Sequence, residues 1–154
     1  MDNRILFDPE DRDFLLSYEW KISKNNFGDI EYVVTYDLGK IISMHRLLMG
    51  LKHGDKLVVD HINHNGLDNR RKNLRLATRS QNCANGRISK NNKTGYKGVS
   101  WEAGRGKYSS TVRKNGKTIR IGRYTNLIDA AKAYDKKAKE LHGDFAVLNF
   151  PKEL

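Results

Sequence analysis

Four polar side chains in the middle of the chain have the types and the spacing of a hydrolytic site. Asp60 and His61 are neighbours, Asn73 follows twelve residues after His61, and Asn82 follows nine residues after Asn73. An imidazole can take a proton from water near neutral pH, and a carboxylate can hold a cation that offsets charge on a phosphate. The Asp-His pair could therefore act on opposite sides of one phosphodiester.

Short strands and a helix must position these side chains. Residues 57–59 predict an apolar strand that ends at Asp60-His61, and residues 74–76 predict a second strand. Between them lies a polar loop of turn-forming residues, INHNGLDNRRKN.

A helix is expected after the second strand. Residues 78–81, Thr-Arg-Ser-Gln, fit a capping box, so a helix should run through Asn82 and end near Gly86. Another short helix is expected at 45–51, with His45 packed between it and the core. Cys83 is expected to be a small buried residue.

The stretch from 45 to about 86 resembles the HNH endonucleases, in particular the phage and intron homing type. It reads HRLLMGLKHGDKLVVDHINHNGLDNRRKNLRLATRSQN, with the order Asp-His, loop, Asn-Leu-Arg, Thr and then Asn. The resemblance implies two short strands and a helix around one divalent metal. Asp60 and Asn82 would be its protein ligands, His61 the general base, and Asn73 a brace for the loop that also orients His61.

The resemblance also implies which metal is bound. Many family members carry His at the position of Asn82. Two oxygen ligands with phosphate and water suit Mg²⁺, and Mn²⁺ is possible. An alternative is a zinc site made from His53, His61 and His64 with Asp60 or Asp68, although His64 lies in the polar loop, where solvation is expected.

Composition favours an anionic partner. The 154 residues contain 29 Lys and Arg against 18 Asp and Glu, a net charge of +11. Residues 1–44 carry a net −4, residues 45–95 a net +8 and residues 96–154 a net +7. One cysteine excludes a disulfide framework and a cysteine-based zinc finger, and no apolar run approaches the ~18 residues of a membrane span. We expect an intracellular, cytoplasmic protein that binds nucleic acid.

The first part of the chain predicts a β-rich extension. Residues 30–36 form a β-branched and aromatic run, chain breaks are expected at 25–28 and 38–40, and a return strand is expected from 41. Phe14, Tyr18 and Trp20 are expected to be core anchors.

The last part of the chain predicts three antiparallel strands and a helix. The strands span 96–101, 108–113 and 118–124, with a type I′ turn at Asn115-Gly116. A helix begins after Asn126, presents an apolar face and ends at Gly143. One face of the sheet packs on this helix, and the free face carries Arg113 and Arg120.

Residues 96–151 resemble the ethylene-response-factor (APETALA-two) DNA-binding domain. The resemblance rests on YKGV at 96–99, GRY at 122–124, DAA at 129–131, AYD at 133–135 and LNF at 148–150. It implies that the sheet lies in the major groove. Ser100, Glu102, Thr111 and Thr118 depart from the Arg or Glu usual in the plant domains, so the plant target sequence is not implied.

The candidate DNA-binding residues are basic and lie in both halves of the chain. They are Lys97, Arg105, Lys107, Arg113 and Arg120 in the last part and Arg71, Arg75 and Arg79 in the middle, with Arg70, Lys72, Trp101 and Tyr108 as further candidates.

The sequence as a whole predicts an α+β protein in four parts: a β-rich N-terminal extension at 1–44, a ββα-metal HNH nuclease at 45–86, a linker at 87–95, and a three-stranded sheet packed on one helix at 96–154. We expect a metal-dependent, site-specific endonuclease for double-stranded DNA, of the phage-encoded homing type, which nicks as a monomer or cuts both strands as a homodimer. No cofactor other than the metal is expected. Two alternatives are a sequence-specific DNA-binding regulator with a silent nuclease motif and a packaging protein that binds DNA without sequence preference.

Overall fold

The chain folds into two compact units, 1–79 and 80–154. The computed structural model describes residues 1–24, 30–37 and 39–152. Both units mix helices with antiparallel sheet, as the sequence predicts. None of the described helices has the length and apolar character needed to cross a membrane.

The first unit contains a three-stranded sheet, a two-stranded hairpin and short helices. Its elements are α1 (Arg12–Leu16), β1 (Lys21–Lys24), β2 (Glu31–Asp37), β3 (Lys40–Ser43), α2 (Met44–Leu48), β4 (Val58–His61) and β5 (Leu74–Ala77), with 3-10 turns at Pro9–Asp11 and Arg71–Asn73. The sheet has the order β1-β2-β3, and β4 pairs with β5. The strands predicted at 30–36, 41–42, 57–61 and 74–76 are confirmed; the breaks predicted at 25–28 and at position 38 lie outside the described residues.

One apolar core joins these elements. Leu15 of α1, Val33 of β2 and Met44 of α2 are fully buried, and Val59 and Leu74 join them from β4 and β5. A further link is made by the N-terminal segment, where the Leu6 amide donates to the carbonyl of Leu67 and the Asn69 amide donates to the carbonyl of Leu6. The loop between β4 and β5 is thereby pinned to the start of the chain.

Of three expectations about apolar side chains, that for Trp20 is confirmed and those for Phe14 and Cys83 are wrong. Trp20 packs against the core and donates its indole N–H to the Leu15 carbonyl. Phe14, by contrast, is 48% exposed on α1, because the five-residue helix buries only Leu15. Cys83 is exposed on the helix that follows β5, not buried.

The second unit is a three-stranded sheet packed on one long helix. Its elements are α3 (Arg79–Asn85), β6 (Val99–Glu102), β7 (Lys107–Lys114), β8 (Lys117–Tyr124) and α4 (Leu127–His142), with 3-10 turns at Ala103–Arg105 and Gly143–Phe145. The sheet order is β6-β7-β8. The predicted turn is confirmed: Asn115 and Gly116 have φ of 50° and 78°, the left-handed region that a type I′ turn requires.

Small side chains let α4 lie close to the sheet. Ala130, Ala131 and Ala138 are fully buried, and Tyr134 packs with Val112 of β7. The Asn126 side chain caps the helix by accepting from the amides of Ile128 and Asp129. Behind the helix, Asp135 accepts from the amides of Asn149 and Phe150, which fastens the C-terminal segment.

Candidate active site and nucleic-acid interface

The end of the hairpin places Asp60 and His61 side by side, and both are buried. Asp60 pairs with Arg75 across the two strands, and His61 pairs with Leu74. Nε of Arg75 donates to Oδ2 of Asp60 at 2.8 Å, while the Asp60 side chain is only 4% exposed. A buried carboxylate is stable in such a position because charge-assisted hydrogen bonds replace water.

Three side chains surround the His61 ring. The His45 ring meets it edge-on with centroids 4.9 Å apart, and the Tyr32 ring lies 6.1 Å away. Nε2 of His61 lies 3.4 Å from Oδ1 of Asn69. His45 was expected to be structural, and the structure places it directly against the candidate base.

The approach of Tyr32 depends on a glycine in the loop. A Cβ added at Gly66 would lie 2.2 Å from the Glu31 carbonyl oxygen and 2.8 Å from the Tyr32 ring. Only a residue without a side chain fits this close contact between the loop and β2.

Burial keeps the imidazoles neutral. Desolvation lowers the pKa of His61 below its ordinary value of 6.5, although the Asn69 hydrogen bond and the charges of Asp60 and Asp68 act in the opposite direction. Desolvation also lowers the pKa of His45 to about 3, with smaller contributions from His61 and Arg46. A neutral His61 at neutral pH can accept a proton.

Asn73 braces the loop between the two strands. Its Oδ1 accepts from the Asn63 amide at 3.0 Å, and its Nδ2 donates to Oδ1 of Asn63 at 3.0 Å and to the Asp68 carbonyl at 2.8 Å. Its own carbonyl accepts from the Ile62 amide. The amide therefore ties both sides of the loop next to His61.

Carboxylates hold two of the arginines beside this loop. Arg70 makes a two-pronged contact with buried Asp68, both bonds 2.7 Å long, and this contact holds the pKa of Asp68 below its ordinary range. Arg71 pairs with Asp11 at 2.6 Å and donates its backbone amide to Asp8. Arg71 was predicted to bind DNA; the structure places its guanidinium in this ion pair, with the side chain half exposed.

The remaining predicted site residues of the middle region are exposed. Asn82 lies on α3 with its side chain exposed, and Arg79, at the start of α3, is exposed too. The zinc alternative receives no support, because the described residues contain no cluster of three or more His, Cys, Asp or Glu side chains that could hold a metal.

The region of the hairpin is similar in sequence to a known protein family. The family model for HNH endonucleases matches residues 43–84, which include α2, β4, β5 and most of α3. An uncharacterized HNH endonuclease of Acanthamoeba polyphaga mimivirus is 38% identical over 136 residues, covering 86% of this chain and 67% of the relative.

The chain belongs to the HNH endonuclease family.

A second relative of this HNH endonuclease is protein 3.8 of Escherichia phage T7. It is 36% identical over 88 residues, which cover 57% of this chain and 72% of the phage protein. No solved structure matches the chain.

Family membership implies a DNA substrate and a divalent metal. Among the residues of the hairpin, Asp60 offers a carboxylate, the kind of donor that a hard cation prefers. Asp60 lies at a strand end and already neutralises one positive charge, that of Arg75.

The second unit of the endonuclease carries a basic face on its sheet, opposite α4. Its charged members, from β6, β7 and β8, are Glu102, Lys107, Arg113, Arg120 and Arg123. Val112 and Ile119 pack toward the helix, so their strand neighbours Arg113 and Arg120 point the other way. The prediction that the free face carries these two arginines is confirmed.

Exposure separates Lys97 from the other candidate DNA-binding residues of this unit. Arg113 and Lys107 are exposed, and Arg105 and Arg120 have side chains 63% and 58% exposed. Lys97 instead donates from Nζ to the carbonyls of Ala84 and Gly86, and burial lowers its pKa to about 8. In the described structure Lys97 ties α3 to the start of the sheet.

Two features of these sites were not predicted from the sequence. Asn69, fully buried beside His61, lies in a loop whose polar composition gives no sign of burial. Arg123 pairs with Glu102 at 2.6 Å across the basic face, a contact that depends on the strand register seen in the structure.

Proposed function

We propose that this HNH endonuclease is a metal-dependent, site-specific nicking enzyme that hydrolyses one phosphodiester of double-stranded DNA. The observation that carries the proposal is the buried Asp60–His61 pair at the end of β4, with the imidazole neutral and set between His45 and Asn69. The His61 imidazole can accept a proton and the Asp60 carboxylate can hold a cation, and phosphodiester hydrolysis uses both a base and a cation.

His61 is the general base in this proposal. Its ring is lined by Tyr32 and His45 on the sides and by Asn69 at Nε2, so its orientation is restricted. In this proposal the neutral imidazole takes the proton from the attacking water. Asn73 supports this arrangement by holding the loop that follows His61.

Asp60 and Asn82 are the proposed protein ligands of the metal. A bound divalent cation supplies the positive charge that offsets the phosphate and the leaving oxygen. Mg²⁺ is proposed because both protein donors are oxygens, and Mn²⁺ has the same preference. Arg75, held on Asp60, adds positive charge at the same strand end.

The sheet of the second unit is the proposed DNA reader. The support is the basic face of the sheet and the sequence resemblance of residues 96–151 to the ethylene-response-factor domain. Lys107, Arg113 and Arg120 would contact DNA directly, with Arg105 beside them. Arg71, Arg75 and Arg79 would contact phosphates near the cut.

The proposed organisation has four parts: an extension at 1–44, the nuclease at 45–86, a linker at 87–95 and the reader at 96–154. Tethering a nuclease of low selectivity to a reader raises the local concentration of the target. A monomer nicks and a homodimer could cut both strands. The phage T7 relative supports a phage source, and the proposal is a homing enzyme that acts in the cytoplasm of a bacterial host.

Mapping of cut ends on genomic DNA tests this function. The full chain is incubated with bacterial or phage DNA and Mg²⁺, and new 5′ and 3′ ends are sequenced. Nicks that cluster at a shared sequence and vanish with EDTA are expected. Sequence-specific binding without metal-dependent ends would contradict the proposal and favour a regulator.

A further inference from the structure

Three arginines converge on a single carboxylate on the basic face. Arg123 Nε lies 2.6 Å from Oε2 of Glu102, Arg105 Nε lies 3.5 Å from the same oxygen, and Arg120 lies 3.8 Å from Oε1. They come from β8 and from the turn after β6, so one side chain links elements that are separate along the chain. The arrangement holds the pKa of Glu102 below its ordinary range, chiefly through the Arg123 hydrogen bond.

Charge balance alone does not account for this arrangement. One carboxylate faces three guanidinium groups, so the cluster keeps a net positive charge. The contacts are also unequal. Arg123 is held closely and is the least exposed of the three, whereas Arg105 and Arg120 stay more than half exposed. Glu102 therefore orients arginines on a surface that remains attractive to DNA.

The position of Glu102 within the sheet favours an orienting role. Arg123 lies on β8, opposite Ser109 of β7, and Ser109 is opposite Ser100 of β6, the strand that ends at Glu102. Ser109 also donates to Glu102, and it is almost fully buried although it lies on the outer side of the sheet. The ion pair thus spans the middle strand and covers it.

An arginine held through Nε keeps its two terminal amino groups for a bidentate contact. Guanine offers the matching acceptors, O6 and N7, in the major groove. Holding the side chain in advance reduces the entropy lost on binding. A carboxylate among the arginines also repels phosphates, which weakens binding that depends on phosphate charge alone.

From these observations we propose that Glu102 is a specificity-determining residue of the reader. It positions Arg123, with Arg105 and Arg120 beside it, for guanine edges in double-stranded DNA, and it disfavours sequence-independent binding. The inference rests on the proposed reader function of this sheet.

The test compares Glu102→Gln with a matched neutralisation elsewhere. Glu140→Gln removes one negative charge from an exposed position on α4, on the helix side of the sheet. The full chain first enriches duplexes from a random-sequence pool, and affinities of each variant are then measured for the enriched duplex and for random duplex across a salt series.

Glu102→Gln is expected to bind random duplex severalfold more tightly than either wild type or Glu140→Gln. Its preference for the enriched duplex should fall about tenfold. The slope of log affinity against log salt on random duplex should steepen by about one, because one more phosphate can be neutralised. Arg123→Lys keeps the positive charge and loses the planar guanidinium. It should lose the preference for the enriched duplex without gaining affinity for random duplex.

If Glu102→Gln and Glu140→Gln have the same affinity for random duplex and the same preference for the enriched duplex, the inference is overturned. If wild type enriches no sequence, the reader function fails and the inference fails with it. Nicking by that same preparation would show that the nuclease proposal survives on its own.

Discussion

Arg75 Nε and Asp60 Oδ2 lie 2.8 Å apart at facing positions of β5 and β4. The pair joins a candidate metal ligand to a candidate phosphate-binding residue. Both side chains are largely buried, so the ion pair is shielded from solvent. Replacing one partner therefore lowers the free energy of unfolding more than the same replacement at an exposed ion pair.

Arg75→Ala is expected to destabilise the first unit by about 2 kcal/mol, because a buried carboxylate loses a charged partner. If Asp60 holds the metal, millimolar Mg²⁺ should raise the stability of the variant more than that of wild type. Urea denaturation followed by Trp20 fluorescence, in a Trp101→Phe background, measures both effects. Arg79→Ala, at an exposed position, is the control; equal losses in the two variants would contradict the prediction.

Gly98→Ala is expected to destabilise the second unit by about 3 kcal/mol. Gly98 has φ of +74°, and an added Cβ would lie 2.0 Å from the Tyr134 ring and 2.7 Å from the Thr111 carbonyl oxygen. Gly104→Ala is a matched control, since nothing lies within 4 Å of its added Cβ. Thermal unfolding followed by circular dichroism measures the melting temperature of each variant, and similar values would contradict the close packing of α4 on the sheet.

His45 is expected to make the first unit less stable at acid pH. Its pKa is about 3 in the folded chain against an ordinary 6.5, so below pH 6.5 the unfolded chain binds the extra proton. Stability from this group is present above pH 6.5 and falls by about 1.4 kcal/mol per pH unit as the pH drops toward 3. The lowered pKa of His61 acts in the same direction.

Urea denaturation between about pH 7 and about pH 4 measures this slope. His45→Gln removes one of the two titrating groups, so its stability should depend less steeply on pH than that of wild type. Identical slopes would show that His45 is not held neutral in the fold.

Arg113→Ala combined with Arg120→Ala is expected to weaken binding to the enriched duplex, while Mg²⁺-dependent nicking of unselected DNA survives. Both side chains lie on the basic face and outside the hairpin that carries Asp60 and His61. The control is Lys136→Ala combined with Lys139→Ala on α4, which also removes two positive charges. If both double variants have the same affinity for the enriched duplex at one salt concentration, the proposed reader function is contradicted.

Local patterns were sufficient to predict much of this fold. Three of these patterns involve only residues that are close along the chain, and each is confirmed. They are the alternation in 118–124, the turn at Asn115-Gly116 and the helix cap at Asn126. Helix α1 and strand β1 were not predicted, because their short segments lack a clear period and owe their structure to the shared core.

The candidate site was predictable only in part. The placement of Asp60, His61 and Asn73 at a hairpin follows from strand and turn chemistry. The burial of Asp68 and Asn69 could not be predicted in this way, because a loop of polar residues is ordinarily solvated. This loop is buried because its residues form hydrogen bonds with one another and with the Leu6 carbonyl. The Glu102–Arg123 pair likewise depends on strand register across the sheet.

Cleavage of supercoiled plasmid by wild type and His61→Ala, with Mg²⁺ or with EDTA, is the most direct test of the central claim. Wild type should produce relaxed circles only with Mg²⁺, whereas His61→Ala should produce none and bind DNA with unchanged affinity. His53→Ala, at an exposed histidine, should cut like wild type. Linear product would point to paired active sites. Nicking by His61→Ala at the wild-type rate, or equal loss of cutting and binding, would contradict the assignment of His61 as the general base.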